Sequence, residues 1–436
     1  MPAWHAAPIE AMQSTRTAAR GVAGRDFRLL LSAQAISLLG SGVTTVGLAL
    51  FAYRLTGGAS ATLVIGHALM LRILAFLLFS QPAGVLADRV DRKRMLIIAD
   101  LIRFGLLMLF PFITTTWQIY LLVFVVNAAT AFFTPVFEAS IPSVVGDADY
   151  VKALSWSRVA SDMEVVAGPA LAALLVALVG LRWVFWFDAA SYVLSALLVG
   201  LVTIPRAAEA AKALSPREFF VDITYGTRVL LRDSALRQAL LLSLAEAIAG
   251  AAAIVGTVSY VRDVLHHGET AVALVMAAVG AGSATTAFVL GRVTARRERS
   301  SVTPAALHSQ RHRWTRIALL GGGAALFCAL VPGVLLPATS LFVGLWVANG
   351  CGQASIGIAS STLLAEHTTE SDRGRTYAAH FAWSHSYWLL TYPAIGYAVA
   401  WWGAPRTFLY AGLACGLVTG VAGFVSPRPV ADAMHS

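Results

Sequence analysis

The side chains best able to do chemistry in this chain are ionisable groups set inside long apolar runs. Glu138, Asp162, Glu164 and Glu246 are carboxylates in such runs, Asp100 and Arg103 share another, and His67, His380 and His385 lie in two more. An isolated charge is expensive in a low-dielectric interior, so each group must find a partner, face a polar cavity or carry a proton. Asp162 and Glu164 stand two residues apart and point to different faces of one helix, so both cannot face lipid. That makes Asp162, Glu164, Glu138 and Glu246 candidate proton carriers. Asp100 and Arg103 are three apart, the spacing of an ion pair along one helix. Asp188 follows the aromatic patch Trp183 to Phe187 and is expected to cap a helix or sit at a helix interface.

Histidine suits borderline transition metals through neutral imidazole, and His67 could join His380 and His385 as a third ligand. Five residues separate the latter two, however, about 140° around a helix, so they do not form a one-face metal pair. Hydrogen bonding to neighbouring helices is the competing expectation. There is no G-x-S-x-G elbow, phosphate loop or H-E-x-x-H pair, so an enzyme is not expected and no cofactor is called for.

These groups sit in an unusual frame. The chain is 58% hydrophobic and only 13% charged, with a mean hydropathy of +0.71, whereas soluble domains carry about 25% charged residues. Its 436 residues leave room for about twelve spanning helices of about 20 apolar residues each. The runs are continuous rather than alternating, which favours helices over spanning β-strands. The expected fold is an all-α polytopic membrane protein with twelve transmembrane helices in two six-helix halves. Residues 1–26 form a polar tail, 27–204 the first half, 205–237 a basic linker with an amphipathic part near Phe219 to Leu231, 238–425 the second half, and 426–436 a second tail.

The net charge of +9 raises a nucleic-acid reading, but the basic residues concentrate in alternate short links. Only Arg54, Arg182, Arg262 and Arg406 fall in the intervening links, and Arg72, Arg103 and Arg158 fall within runs. That bias is the positive-inside pattern, so the expected partner is the lipid bilayer and not nucleic acid. It predicts both termini in the cytoplasm of a bacterial-type inner (plasma) membrane. Cys328, Cys351 and Cys415 are too few and too far apart for a disulfide framework and are expected to pack.

The densest charge in the first third is Gly84-Val85-Leu86-Ala87-Asp88-Arg89-Val90-Asp91-Arg92-Lys93-Arg94, between the second and third runs. It resembles the loop signature of the major facilitator superfamily, with Asp91 in place of that signature's second glycine. Ala99 to Arg103, Phe133-Thr134-Pro135 with Ile141-Pro142, Ala167 to Leu171, and Phe187 to Tyr192 resemble the branch that contains bacterial siderophore and macrolide exporters. The resemblance implies a charge relay at the cytoplasmic gate built from Gly84, Asp88, Arg89, Arg92, Lys93 and Arg94. It also implies an antiporter-like element at Gly168-Pro169, although Ala172 and Ala173 replace that motif's further glycines. Arg373 to Phe381, continuing to Tyr392-Pro393, is similar to a subgroup associated with nickel or cobalt resistance, whose His-rich tail is represented here by His435 alone. Gly291-Arg292 with Arg296 and Arg297 reads as a worn second copy of the loop, and Tyr392-Pro393 as the counterpart of Gly168-Pro169.

The expected function is therefore a secondary transporter, a monomer driven by the proton gradient, that exports a small molecule by alternating access. A divalent transition-metal permease is the alternative substrate reading. A non-transporting receptor or sensor on the same body is the alternative of another class.

Overall fold

The structure is a computed structural model that describes residues 22, 24–87, 90–146, 149–204, 216–300, 304–336 and 338–424. Six long helices come first: α1 (Arg25–Thr56), α2 (Gly58–Ala87), α3 (Arg92–Leu109), α4 (Thr116–Val145), α5 (Tyr150–Leu178) and α6 (Leu181–Leu201). A shorter helix, α7 (Pro216–Arg232), precedes α8, which spans Ser234–Val264 and contains two π-helical turns. Then follow α9 (Glu269–Ser300), α10 (Pro304–Leu330), α11 (Thr339–Glu366), α12 (Glu370–Trp402) and α13 (Ala404–Phe424). A single residue, Gly57 with φ of +67°, joins α1 to α2 in a backbone region that glycine reaches without strain.

Among the described residues, eleven helices are long and apolar enough to cross a membrane. With α12 the bundle has the twelve long helices the sequence predicts. At 33 residues α12 extends about 50 Å, ample for a bilayer. Its His380, Ser384, His385 and Ser386 lower its hydropathy, and it packs among α2, α7 and α8. Trp117, Trp183 and Trp401 are all strongly exposed at the end opposite the basic links, as an aromatic interfacial belt requires.

One expectation is corrected. The basic stretch that begins at Gly291 was expected to copy the first loop, yet α9 runs on to Ser300 and α10 begins at Pro304. Alanine, arginine and glutamate are strong helix formers, so this polar segment prolongs its helices beyond the apolar span. The worn loop copy at Gly291 to Arg297 is therefore helical.

Helices meet where a side chain is missing. A Cβ on Gly42 of α1 would lie 2.9 Å from the Gly168 Cα, and one on Gly168 of α5 would lie 2.6 Å from the Gly42 Cα. The antiporter-like glycine thus brings two backbones into direct contact. Across the two halves, Cβ atoms on Gly66 of α2 and Gly396 of α12 would lie 2.6 Å and 2.7 Å from the carbonyls of Tyr392 and Thr62. In the second half, Gly282 and Gly350 seat α9 against α11 in the same way.

The basic link begins with a cap. Asp91 precedes α3 and accepts from the Arg94 backbone N–H at 3.1 Å, satisfying one of the helix's orphan donors. Arg92 donates to the Ala139 carbonyl of α4 at 2.7 Å, and Lys93 donates to the Gly200 carbonyl at the end of α6 at 2.6 Å. A lysine at that carbonyl end is electrostatically favourable. Asp88 and Arg89 lie outside the described residues, and Gly84 falls in the last turns of α2.

Candidate functional site

The first half encloses a cavity of about 150 Å³ among α1 to α6. Arg72, Arg103, Glu138, Glu164, Asp188 and Tyr192 contribute its polar lining. Arg72 on α2 and Glu164 on α5 stand near the middle of their helices, with Arg72 Nη2 3.4 Å from Glu164 Oε1. Arg72 Nη1 also donates to Thr45 Oγ1 of α1 at 3.2 Å. Glu164 lies one turn before Gly168, so the glycine contact between α1 and α5 is what holds it at this depth.

Arg103 pairs with Asp100 on its own helix, and both are almost fully buried. Its guanidinium lies 4.4 Å from the centre of the Phe133 ring and 4.2 Å from that of Tyr192. This cation–π sandwich ties α3 to α4 and α6. Tyr192 shares a 2.8 Å hydrogen bond with Ser41 of α1.

Asp188 sits at a helix interface, one of its two expected places, and lines the cavity as well. It lies inside α6, faces the cavity, is 1% exposed, and accepts from Ser191 Oγ at 3.2 Å. A Cβ on Gly40 would lie 2.3 Å from its Oδ1, so the α1–α6 crossing places the carboxylate there. Arg72, Asp188 and Tyr192 are the members that sequence reasoning did not assign to a site. The signal for Arg72 was an arginine in the middle of an apolar run, which demands an acidic neighbour from another helix.

The remaining candidates fall elsewhere. Glu138 lines the cavity on α4, while Glu246 lies in the other half on α8, facing Gly357 of α11. Asp162 falls within α5, and its side chain is outside the described residues. His67 contacts the Leu63 carbonyl through Nδ1 at 2.8 Å and the Tyr397 hydroxyl through Nε2 at 3.3 Å. His380 meets Ser243 Oγ at 3.3 Å, and His385 contacts the Phe381 carbonyl at 2.9 Å while stacking on the Phe381 ring. Because His67 abuts Tyr397, about 18 Å of α12 separates it from His385, too far for one ion. Among the described residues no group of three or more His, Cys, Asp or Glu could hold a metal. His67 and His380 hydrogen-bond across helix contacts, and His385 bonds within α12.

At the end of the bundle opposite the basic links, the halves are fastened together. Arg54 at the end of α1 grips Glu269 at the start of α9 through two hydrogen bonds of 2.5 Å and 2.7 Å. Tyr53 donates to Asp263 near the end of α8, and Arg262 lies over the Tyr53 ring. Thr62 donates to the Gly396 carbonyl at 3.2 Å.

A twelve-helix bundle in two parts, with charge paired inside one part and a fastening across both at one end, has the architecture of a membrane carrier. The profile of the Major Facilitator Superfamily matches residues 30–333, and the chain belongs to that family. Macrolide efflux protein A of Streptococcus pyogenes is 28% identical over 215 residues, 48% of this chain and 52% of that protein. Macrolide efflux protein A of Enterococcus faecalis is 29% identical over 172 residues, 38% and 53% of the two chains. The chain thus spans about half the length of the curated relatives it matches. Among solved structures, a bacterial homologue of the human lysosomal transporter Spinster, inward-facing and unoccupied, superposes with a TM-score of 0.68 at 14% identity, covering 92% of this chain and 96% of that one. A bacterial homologue of the iron transporter ferroportin, in an inward-facing state, gives 0.66 at 16% identity, covering 92% and 99%. At these identities the likeness is one of fold.

Proposed function

We propose that the protein is a secondary transporter that exports a small molecule in exchange for protons by alternating access. It works in a bacterial-type plasma membrane with the basic links and both termini on the cytoplasmic side. The observation that carries this reading is the Arg72–Glu164 pair, mid-helix, cavity-lining and between two different helices. A carboxylate that can leave its guanidinium partner can take a proton, and the pair then stands open for the next step of the cycle. Asp188, in the same cavity, supplies a second protonatable group beside the first. The fastening at the end opposite the basic links supports a state open toward the cytoplasm, from which an exporter loads. The macrolide efflux relatives support export of an organic molecule, and the separation of the histidines does not favour the metal reading.

Purified protein reconstituted in liposomes tests the proposal. Glu164→Gln is expected to abolish transport driven by a pH gradient while sparing substrate exchange at equal pH, because exchange needs no net proton movement. Gradient-driven transport that survives in both Glu164→Gln and Asp188→Asn would overturn proton coupling through this cavity.

A further inference from the structure

The short helix α7, between the two halves, is fastened to α12. A Cβ on its Gly226 would lie 2.2 Å from the Arg375 carbonyl oxygen, so the two backbones touch. Beside that contact Tyr225 donates to Asp372 at 3.1 Å, and Thr227 accepts from the Trp383 indole at 3.1 Å. The Arg375 guanidinium lies 4.9 Å from the centre of the Tyr225 ring, and Leu230, one turn further on, is fully buried. These contacts hold α7 at one level of α12, so the membrane depth of that level is the depth of α7.

Trp383 supplies the depth. Trp401, eighteen residues further along α12, stands in the aromatic belt opposite the basic links, and eighteen residues of helix rise about 27 Å. That is close to the thickness of a bilayer's hydrocarbon core, about 30 Å. Both indoles are exposed, and tryptophan favours the two membrane–water boundaries. Trp383 therefore marks the boundary at the basic end, and α7, bonded to it, lies in the headgroup layer there.

The outward face of α7 suits that layer. Val221, Tyr225, Arg228 and Arg232 are all exposed and fall within about 60° of one another around the helix, away from Leu230. Arg228 and Arg232 are one turn apart and have no hydrogen-bond or ion-pair partner among the described residues. The last ten residues of α7, Ile223 to Arg232, hold both arginines and no acid. The acids named nearby are engaged, Asp233 in the α8 cap and with His367, and Asp372 with Tyr225. Arg232 also complements the carbonyl end of α7, but Arg228 stands a turn inside and gains little from it. Two guanidiniums about 6 Å apart at their Cβ atoms can take one phosphate between them. The exposed Val221 and Leu231 add apolar contact for acyl chains, the combination by which an interfacial helix selects anionic lipid.

We propose that Arg228 and Arg232 of α7 form a binding site for the headgroup of an anionic phospholipid in the leaflet at the basic end. The site lies outside the cavity of the first half and is independent of the cargo and of proton coupling. Because α7 is fastened to α12, the lipid is carried by the second half.

Native mass spectrometry of the full chain in detergent, titrated with dioleoyl-phosphatidylglycerol or dioleoyl-phosphatidylcholine, tests the site. Wild type is expected to bind the anionic lipid more tightly than the zwitterionic one. Each arginine at an anionic lipid surface is worth about fivefold, so Arg228→Gln with Arg232→Gln should weaken phosphatidylglycerol binding about 25-fold. Lysine at both positions should keep most of the affinity. A matched pair at the same end, Arg292→Gln with Arg313→Gln, also removes two exposed arginines and should leave it unchanged. Should the glutamine pair fail to fold, hydrogen exchange of wild type in nanodiscs replaces it, and phosphatidylglycerol should slow exchange across α7 relative to pure phosphatidylcholine. Equal affinity for the two lipids, an unchanged affinity in the α7 pair, an equal loss in the matched pair, or exchange indifferent to lipid charge would overturn the inference. Glycerol 3-phosphate binding as tightly as the lipid would also overturn it, since the site would then serve a soluble anion.

Discussion

The two halves share a helix plan and differ in what they bury. The first buries ions: Asp100, Arg103 and Asp188 are each at most 2% exposed, and Arg72 and Glu164 pair beside them. The second, among the described residues, buries no charged side chain and gathers its buried rings in one place. Tyr260, Phe342, Trp346 and Phe408 form one aromatic cluster, with Trp346 donating to Thr257 Oγ1 at 2.8 Å and Tyr260 to the Gly333 carbonyl at 2.7 Å. The π-helical turns of α8 contribute Tyr260, and Gly256 lets α8 close on Phe408. Close-packed rings have one good arrangement, whereas ion pairs have a charged and a neutral form. The difference puts the paired charges in the first half and a closely packed ring cluster in the second.

Two substitutions test that division most sharply. Trp346→Ala removes a fully buried ring and a hydrogen bond and should cost about 3–5 kcal/mol of stability, read as loss of folded protein in thermal unfolding. Arg103→Met strands Asp100 without a partner at a similar cost, about 3–5 kcal/mol, and the double change with Asp100→Asn should recover most of it. If Asp100→Asn restores nothing, the pair is not the reason Arg103 is there, and the comparison loses its electrostatic half.

The fastening between the halves should respond more gently. Arg54 is half exposed, so the pair with Glu269 is worth roughly 0.2–1 kcal/mol. Glu269→Gln is expected to shift the balance of open and closed forms by up to about fivefold while leaving unfolding nearly unchanged. Pulsed electron-spin distances between labels at that end would measure it, and an unaltered distance distribution would remove the fastening from the cycle. A similar magnitude applies at the basic end, where Asp91→Ala should cost about 1 kcal/mol through loss of the α3 cap and Asp91→Gly only a few tenths.

The smallest effect concerns a contact inside the second half, at the basic end. His367, just past α11, lies 2.9 Å from Asp233, which caps α8. The hydrogen bond to Asp233 raises the His367 pKa above its usual value, against the opposing effect of burial. Burial pushes the Asp233 carboxyl up, but the His367 bond and the backbone N–H groups of Leu236 and Ala235 outweigh it and leave the pKa lowered. The His367 contribution is thus full below the histidine's unfolded value and fades as pH rises through the raised one. The Asp233 contribution is present above the carboxyl's unfolded value and fades as pH falls through the lowered one. Hydrogen exchange at the start of α8 should therefore quicken as pH rises above the ordinary histidine range, beyond its intrinsic dependence, and His367→Ala should remove that excess.

Much of this was legible from the chain itself. The long apolar runs dictated the helices, and the uneven placement of lysine and arginine distinguished the two ends of the bundle. The Asp100–Arg103 pair was readable because residues three apart on a helix must be neighbours. The boundaries around Arg292 to Arg316 were not, since hydropathy marks where lipid ends and says little about where a helix ends.

What only the tertiary structure decided is which helices cross, and where. Arg72 and Glu164 are 92 residues apart, and Arg54 and Glu269 are 215 apart. No local period links them: Gly42 and Gly168 set the α1–α5 crossing beside Glu164, and Gly66 and Gly396 set the α2–α12 crossing between the halves. The α1–α6 crossing at Gly40 set Asp188 at the cavity, and the α2–α12 crossing kept His67 far from His385. A spacing along one helix is fixed by covalent geometry, whereas a contact between helices depends on the packing of everything between them.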